Sequence, residues 1–217
     1  MEGIVILGAG GTAKDVIEIL KRTRQRGTHS LAIVGLLDDK SSLWGQTVEG
    51  YPVLGPLSLA RELSNVFFVN ALSSIRTLRK LPDLLAELGI GLDRFLTLVD
   101  PEATVFPSAI LGKGSIVYPG ARILSRAEVG ALCTILSNAV INHEAHVGSY
   151  GVLASNVSLS GRVQVGEGCY LGSGCVVRED TKIGEGAIVG MGSVVIRDVP
   201  PKTVVVGNPA QVLRKLE

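Results

Sequence analysis

From Val99 onward, every sixth residue is valine, isoleucine or leucine. The series is Val99, Val105, Leu111, Val117, Ile123, Val129, Ile135, Ile141, Val147, Leu153, Leu159, Val165, Leu171, Val177, Ile183, Val189 and Val195, and it breaks at Pro201. If about a third of residues were aliphatic, so long a run would have odds of roughly one in a hundred million. The residue four places after each aliphatic is Ala, Ser, Gly, Cys or Thr, except at Val157, Val163 and Val199. This pattern predicts a hexapeptide solenoid. Each hexad supplies a short strand and a turn, and three hexads close a triangular coil of about 18 residues. The aliphatic points inward and the small residue fits the crowded corner. Adjacent coils lie about 4.8 Å apart, as strands do in any sheet. A single coil has no core, so stability comes from stacking.

Composition agrees with a chain built on turns. Glycine reaches 27 residues while aromatics are 4%. The formal net charge is +1, from 21 basic and 20 acidic residues, which argues against an electrostatic grip on nucleic acid. No apolar stretch is long enough to span a membrane. The opening MEGIVILGAGG is too short an apolar run, with no basic start, to read as a secretory signal. Three cysteines, an odd and small number, point to a reducing, cytoplasmic setting. Cys133, Cys169 and Cys175 all occupy the small hexad position, which reads as core packing rather than a metal or redox site.

Residues 1–98 follow a different rule. The pattern predicts a strand at Ile4–Leu7, a helix from about Thr12 to Arg26, and a second strand at Ile33–Leu37 ending in Asp38-Asp39. A third strand follows at Val66–Ala71. A leucine-rich helix through Leu78 and Leu88 comes next, with Pro82 placed to break or restart it. Phe95–Val99 reads as a fourth strand. Alternating strands and helices imply a parallel α/β sheet of Rossmann-like type. Gly8-x-Gly10-x-x-Ala13 fits a loose dinucleotide fingerprint, in which glycines let backbone approach phosphate at a helix N-terminus. Asp38 and Asp39 are placed to accept hydrogen bonds from a ribose or a base. A tight strand-to-helix turn without ligand is the competing reading. So short a domain suits a single nucleotide better than NAD.

In a coil of about 18 residues, i and i+18 share a corner. Two corner columns are mostly small turn residues. The third runs through Leu124-Ser125-Arg126, Asn142-His143-Glu144, Ser160-Gly161-Arg162, Arg178-Glu179-Asp180 and Ile196-Arg197-Asp198. It alone is rich in charge, and it alone carries a histidine. His143 therefore stacks against Gly161. A histidine can take a proton from an attacking amine or hydroxyl near neutral pH, and a glycine N–H can stabilise the oxyanion of a tetrahedral intermediate. Glu144, or a carbonyl, would orient the other ring nitrogen. A polar turn residue on a solvated corner is the alternative reading of His143. His146 reads as structural, and His29 as a solvated loop residue.

The order Gly8-Ala9-Gly10-Gly11, Asp38-Asp39, Asn142-His143-Glu144 and Val205-Val206-Gly207-Asn208-Pro209-Ala210 resembles the sugar acyltransferases of the sialic acid O-acetyltransferase type. It is most similar to the bacillosamine, perosamine and viosamine N-acetyltransferases. The resemblance implies a left-handed parallel β-helix over 99–200 and a nucleotide-sugar-binding domain over 1–98. It also implies a tail at 201–217 contributing to the CoA site. By the same resemblance the protein is a homotrimer that uses acetyl-CoA and no metal. Gly8, Gly10, Gly11, Thr12, Asp38 and Asp39 would hold the nucleotide sugar. His143, Glu144 and Gly161 match the base, its acidic neighbour and the backbone donor. Gly172, Gly190, Gly207, Asn208 and Pro209 would line the CoA site, with Arg214 or Lys215 near its phosphates. Three positions depart from the family pattern. Val152 stands where a second histidine is found, Leu136 where an asparagine is found, and Thr12 where many members carry histidine. The expected activity is N-acetylation of a nucleotide-linked 4-amino-4,6-dideoxy sugar. Alternatives are O-acetylation of a sugar hydroxyl and a non-catalytic nucleotide-binding assembly module.

Overall fold

The computed structural model describes residues 3–78 and 80–216. Two compact units emerge, Met1–Pro101 and Glu102–Glu217.

The first unit is built on a five-stranded sheet. Its strands are β1 (Gly3–Leu7), β2 (Ala32–Leu37), β3 (Thr47–Val48), β4 (Tyr51–Gly55) and β5 (Val66–Asn70). Their order is β3-β4-β2-β1-β5, parallel except for the β3–β4 hairpin. Every residue of β1 is buried, as expected of a central parallel strand covered on both faces. Helix α1 (Gly11–Gln25) buries Ala13, Val16, Ile17 and Leu20, the i, i+3, i+4, i+7 stripe of a helix with one apolar face. Helix α2 spans Ile75–Leu78 and α3 spans Leu81–Leu88.

Several expectations are corrected. The leucine-rich stretch is two helices, and Pro82 restarts the second rather than interrupting the first. It sits in the first turn of α3, where its missing N–H costs nothing, and α3 ends at Gly89 in the left-handed region, φ 64°. The β3–β4 hairpin has no clear signal in the sequence, since Pro52 lies inside β4. The predicted fourth strand shrinks to Leu98–Val99, while Phe95 makes an isolated bridge to Phe68. His29 is not a solvated loop residue. It is only partly exposed, its Nε2 lies 3.1 Å from Thr23 Oγ1, and burial lowers its pKa.

The second unit is a parallel β-helix of two-residue strands. Partners are offset by 18 residues: Arg122 pairs with Val140, Glu128 with His146 and Thr134 with Val152. One face runs from Thr104–Val105 to Val194–Val195, the next from Ile110–Leu111 to Lys182–Ile183. The third carries Ile116–Val117 through Ile188–Val189. From Val117 to Val195 each aliphatic of the hexad series is at most 2% exposed, so each contributes about 1.5–3 kcal/mol of burial. Cys133, Cys169 and Cys175 are buried and unpaired. Desolvation pushes their thiols up to about 12, 11 and 12 respectively, which leaves them as inert packing.

The corner glycines answer to steric crowding. A Cβ on Gly112 would lie 2.3 Å from the Gly130 carbonyl carbon, and one on Gly148 would lie 2.6 Å from the Glu167 nitrogen. Successive coils come too close there for any side chain. Residues 201–217 are expected as a tail. Instead Thr203–Gly207 pairs in parallel with Ile188–Val189 and turns back antiparallel into Ala210–Lys215. The hairpin thus extends the third face beyond the last hexad.

Candidate active site

The charged corner of the β-helix forms as the period requires. His143 and Gly161 occupy equivalent turns of adjacent coils, and the Arg162 N–H donates to the His143 carbonyl at 3.0 Å. The imidazole packs closely against Gly161. A Cβ on Gly161 would fall 2.4 Å from Cε1 and 2.6 Å from Nε2. Only glycine admits the ring in this pose. Asn142 secures the start of the turn by donating from its side chain to the Leu159 carbonyl at 2.6 Å. Among the described residues the Gly161 N–H has no acceptor, so a buried glycine amide lies free beside a half-exposed imidazole.

Glu144 sits in the left-handed region, φ 58°. One carboxylate oxygen is 3.9 Å from His143 Nδ1, beyond hydrogen-bond range. The other is held by Arg126 at 2.5 Å. The sequence reading of Glu144 as the partner of the ring is thus modified: its direct partner is Arg126. On the coils above, Arg162 grips Asp180 through a two-pronged contact of 2.6 and 2.8 Å. That pairing raises the pKa of Arg162 and lowers that of Asp180. A depression of 390 Å³ beside the corner is lined by Arg126, Glu128, Glu144, Ala145, His146 and Gln164. His146 lies 3.5 Å from Glu128 on the adjoining face. Arg126 and His146 were not expected here. The alternating charge at Arg126, Glu144, Arg162 and Asp180, one per coil, is the sequence signal that marks Arg126, whereas His146 lies outside that column.

The glycine loop of the first unit is built differently. Gly8 has φ 102° and donates to the Leu37 carbonyl at 2.7 Å. Gly10 is the N-cap of α1 and brings no side-chain cap, and the first turn holds no acidic residue. A Cβ on Gly10 or Gly11 would meet nothing within 4 Å, so the start of α1 is open and uncapped, an arrangement that favours an anion. Thr12 Oγ1 is 2.7 Å from Ser73 Oγ, which ties the helix start to the loop after β5. Asp38 does not stand free to receive a ligand: Oδ2 accepts the Ala9 N–H at 2.8 Å and Oδ1 the Lys40 N–H at 2.9 Å. Asp39 Oδ1 accepts the Leu57 N–H at 2.9 Å. Each carboxylate thus shapes its own loop before it can meet a nucleotide. Asp39, Leu57, Leu72, Lys80 and Asp83 are among the residues lining a 430 Å³ depression within this unit.

The residues expected near CoA are spread along the end of the β-helix. A Cβ on Gly172 would meet the Met191 nitrogen at 2.6 Å, and one on Gly190 would meet Val206 Cγ1 at 2.6 Å. Close stacking of the coils therefore accounts for both glycines by itself. Gly207 has φ 104° and donates to Ser193 Oγ at 3.2 Å, and Asn208 and Pro209 form the exposed hairpin turn. Arg214 and Lys215 are exposed on the second hairpin strand. Among the described residues no group of three His, Cys, Asp or Glu could hold a metal ion, and no helix is long and apolar enough to cross a membrane.

A comparison with known proteins gives these features a context. The PglD N-terminal domain family matches residues 3–83, and the bacterial transferase hexapeptide family matches residues 162–197. A histidine-to-asparagine mutant of perosamine N-acetyltransferase from Caulobacter crescentus, solved with CoA and GDP-perosamine, superposes with a TM-score of 0.87. It is 30% identical, over 99% of this chain and 98% of that one. The acetyltransferase domain of PglB from Neisseria gonorrhoeae FA1090 gives a TM-score of 0.85 at 30% identity, over 98% of this chain and 100% of that one. UDP-N-acetylbacillosamine N-acetyltransferase of Bacillus subtilis (strain 168) is 35% identical over 119 residues. That alignment spans 54% of this chain and 51%, about half, of the relative. An α/β domain followed by a hexapeptide β-helix is the build of an acyltransferase. The chain belongs to the hexapeptide-repeat family of nucleotide-sugar N-acetyltransferases.

Proposed function

We propose that this protein transfers an acetyl group from acetyl-CoA to the 4-amino group of a nucleotide-linked 4-amino-4,6-dideoxy sugar, with His143 as general base. The carrying observation is the imidazole laid on Gly161, beside an amide with no internal acceptor. In this reading the sugar amine attacks the thioester carbonyl, a C–N bond forms, and the C–S bond breaks to release CoA. The amine proton passes to His143 and from it to the departing CoA sulfur, and the Gly161 N–H faces the oxyanion. Glu144 supplies negative charge on the Nδ1 side. The glycine loop and the open start of α1 hold the nucleotide diphosphate, with Asp38 and Asp39 shaping that loop. The end of the β-helix and its hairpin receive CoA, with Arg214 and Lys215 near its phosphates.

The same reading includes a homotrimer whose active clefts lie between neighbouring copies. A half-exposed histidine on an outer corner suits a cleft completed by a second copy. A cytoplasmic setting goes with it, supported by three unpaired thiols. The test is CoA release from acetyl-CoA with a panel of GDP- and UDP-linked amino sugars, alongside sugars bearing only hydroxyl acceptors. Turnover with an amino sugar is the expected result. Turnover with a hydroxyl acceptor alone would reassign the chemistry, and release with none would remove the activity. Mass measurement of the purified protein tests the trimer separately.

A further inference from the structure

Glu144 is shared between two cationic or potentially cationic partners, and the sharing is asymmetric. Arg126 holds one oxygen at 2.5 Å, while the other faces His143 Nδ1 at 3.9 Å. The arrangement follows from the coil period. Residues 126, 144, 162 and 180 stack at one corner position, all with left-handed backbone, and their charges alternate. Arg162 could have competed for Glu144 from the other side. It is instead taken up by both oxygens of Asp180, which leaves Arg126 as the cation bonded to Glu144.

We infer that Arg126 is a positioning residue for the proposed reaction, acting on His143 only through Glu144; the inference rests on the reading of His143 as the base. Holding one oxygen turns the carboxylate away from the ring, so that its other oxygen stays beyond hydrogen-bond range of Nδ1. The ring then gains orientation from a nearby anion without the strong stabilisation of imidazolium that a direct hydrogen bond would bring. A base that must be neutral to work profits from that restraint. The other charged groups on this corner column include Arg162 on the coil after His143 and Arg178, Glu179 and Asp180 one coil further. Glu128 and His146 lie across the depression beside it.

The experiment is the pH profile of kcat/KM for the whole enzyme with acetyl-CoA and its amino-sugar acceptor. Four variants are compared: Arg126→Ala, Arg126→Lys, Glu144→Gln and the double variant Arg126→Ala/Glu144→Gln. In Arg126→Ala the freed carboxylate reaches Nδ1 and favours imidazolium, so the acid limb moves to higher pH by about half a unit or more. Arg126→Lys keeps a cation and restores most of the wild-type profile. Glu144→Gln moves the limb to lower pH and reduces kcat. In the double variant, loss of Arg126 adds nothing to Glu144→Gln, since coupled residues fail to add. An Arg126→Ala shift that persists in the Glu144→Gln background would overturn the inference, because Arg126 would then act on its own. So would an unchanged profile in Arg126→Ala. A His143→Ala variant as active as wild type would instead sink the base assignment beneath it. Arg126 is exposed, so circular dichroism and melting temperature confirm that its variants fold.

Discussion

The two units reach their candidate sites by opposite routes. In the β-helix every residue has a counterpart 18 positions away, so a functional side chain is placed by the same backbone that places its neighbours. His143 meets Gly161 because the two are one coil apart. In the α/β unit, Ala9 and Asp38 meet because β1 and β2 happen to be adjacent in the sheet. The repeat leaves side chains at the corner free to do chemistry, while the glycine loop uses its carboxylates to hold its own shape. The difference predicts where mutations strike. Changes at the β-helix corner should remove turnover and spare the fold. Changes at the acidic pair should loosen substrate binding and cost stability.

The largest effect is expected for His143→Ala, a fall in kcat of about 10²-fold or more with an unchanged melting temperature. Steady-state rates on the folded variant test this. Activity near wild type would place the chemistry elsewhere and end the contrast. Gly161→Ala follows. Its new methyl would strike Cε1 and Nε2 of His143, a side chain that can swing aside, so the fold survives and the ring is displaced. A loss of about tenfold or more in kcat is expected, since small misplacements of a base are costly. Gly112→Ala is the control within the same unit. There the methyl meets backbone of the next coil, and overpacking of this kind costs about 1–3 kcal/mol. Thermal melts of the two variants should separate a glycine that admits a catalytic ring from one that admits only the next coil.

On the α/β side, Asp38→Ala leaves the Ala9 and Lys40 N–H groups without their partner. The first bond is part-buried and the second exposed, so about 0.5–1.5 kcal/mol of stability should be lost. KM for the nucleotide sugar should rise, with little change in kcat at saturation. If kcat fell and KM held, Asp38 would belong with the corner residues and the division between the units would fail. Kinetics with the sugar varied at fixed acetyl-CoA, together with a melt, decide it.

How much of this was readable beforehand follows the same division. The hexad series predicted the coils, the corner columns and the contact between His143 and Gly161, because a period converts position in sequence into position in space. It did not predict that Arg126 would claim Glu144. That depends on which of two flanking cations is already occupied, and the answer lies in Asp180. In the first unit the strand–glycine–helix signal placed β1, α1 and β2 closely. The β3–β4 hairpin escaped, since a proline inside its second strand argues against a strand. The bonds from Asp38 to Ala9 and from Thr12 to Ser73 join residues far apart in sequence with no period linking them. Only the sheet order brings them together. The hairpin after Pro201 was hidden for a similar reason: the hexad ends there, and nothing repeats to announce that a strand still pairs with the third face.

The smallest expected effect concerns the pair above the corner, Arg162 and Asp180. It lies on the solvent-exposed surface, so its contribution to stability is minor and weakened by salt. Its sign can still be worked out. The two-pronged contact with Arg162 holds the Asp180 carboxyl below its ordinary value of 3.8. A group whose pKa is depressed on folding stabilises fully above the pKa it has when unfolded. That stabilisation fades as pH falls through the ordinary carboxylate range and into the lower native value. The difference in melting temperature between wild type and Asp180→Asn should therefore be small and constant from neutral pH down to about pH 5, then shrink towards zero below pH 4. A second consequence ties this pair back to the β-helix corner. Once Asp180 is replaced, Arg162 is released, and Glu144 is the nearest acid below it on the column. Competition between Arg162 and Arg126 for that carboxylate should draw it further from His143 Nδ1. The kcat of Asp180→Asn should then dip slightly at neutral pH although the fold is unaltered. If kcat does not change, the two ion pairs are independent, and the corner is tuned by Arg126 alone.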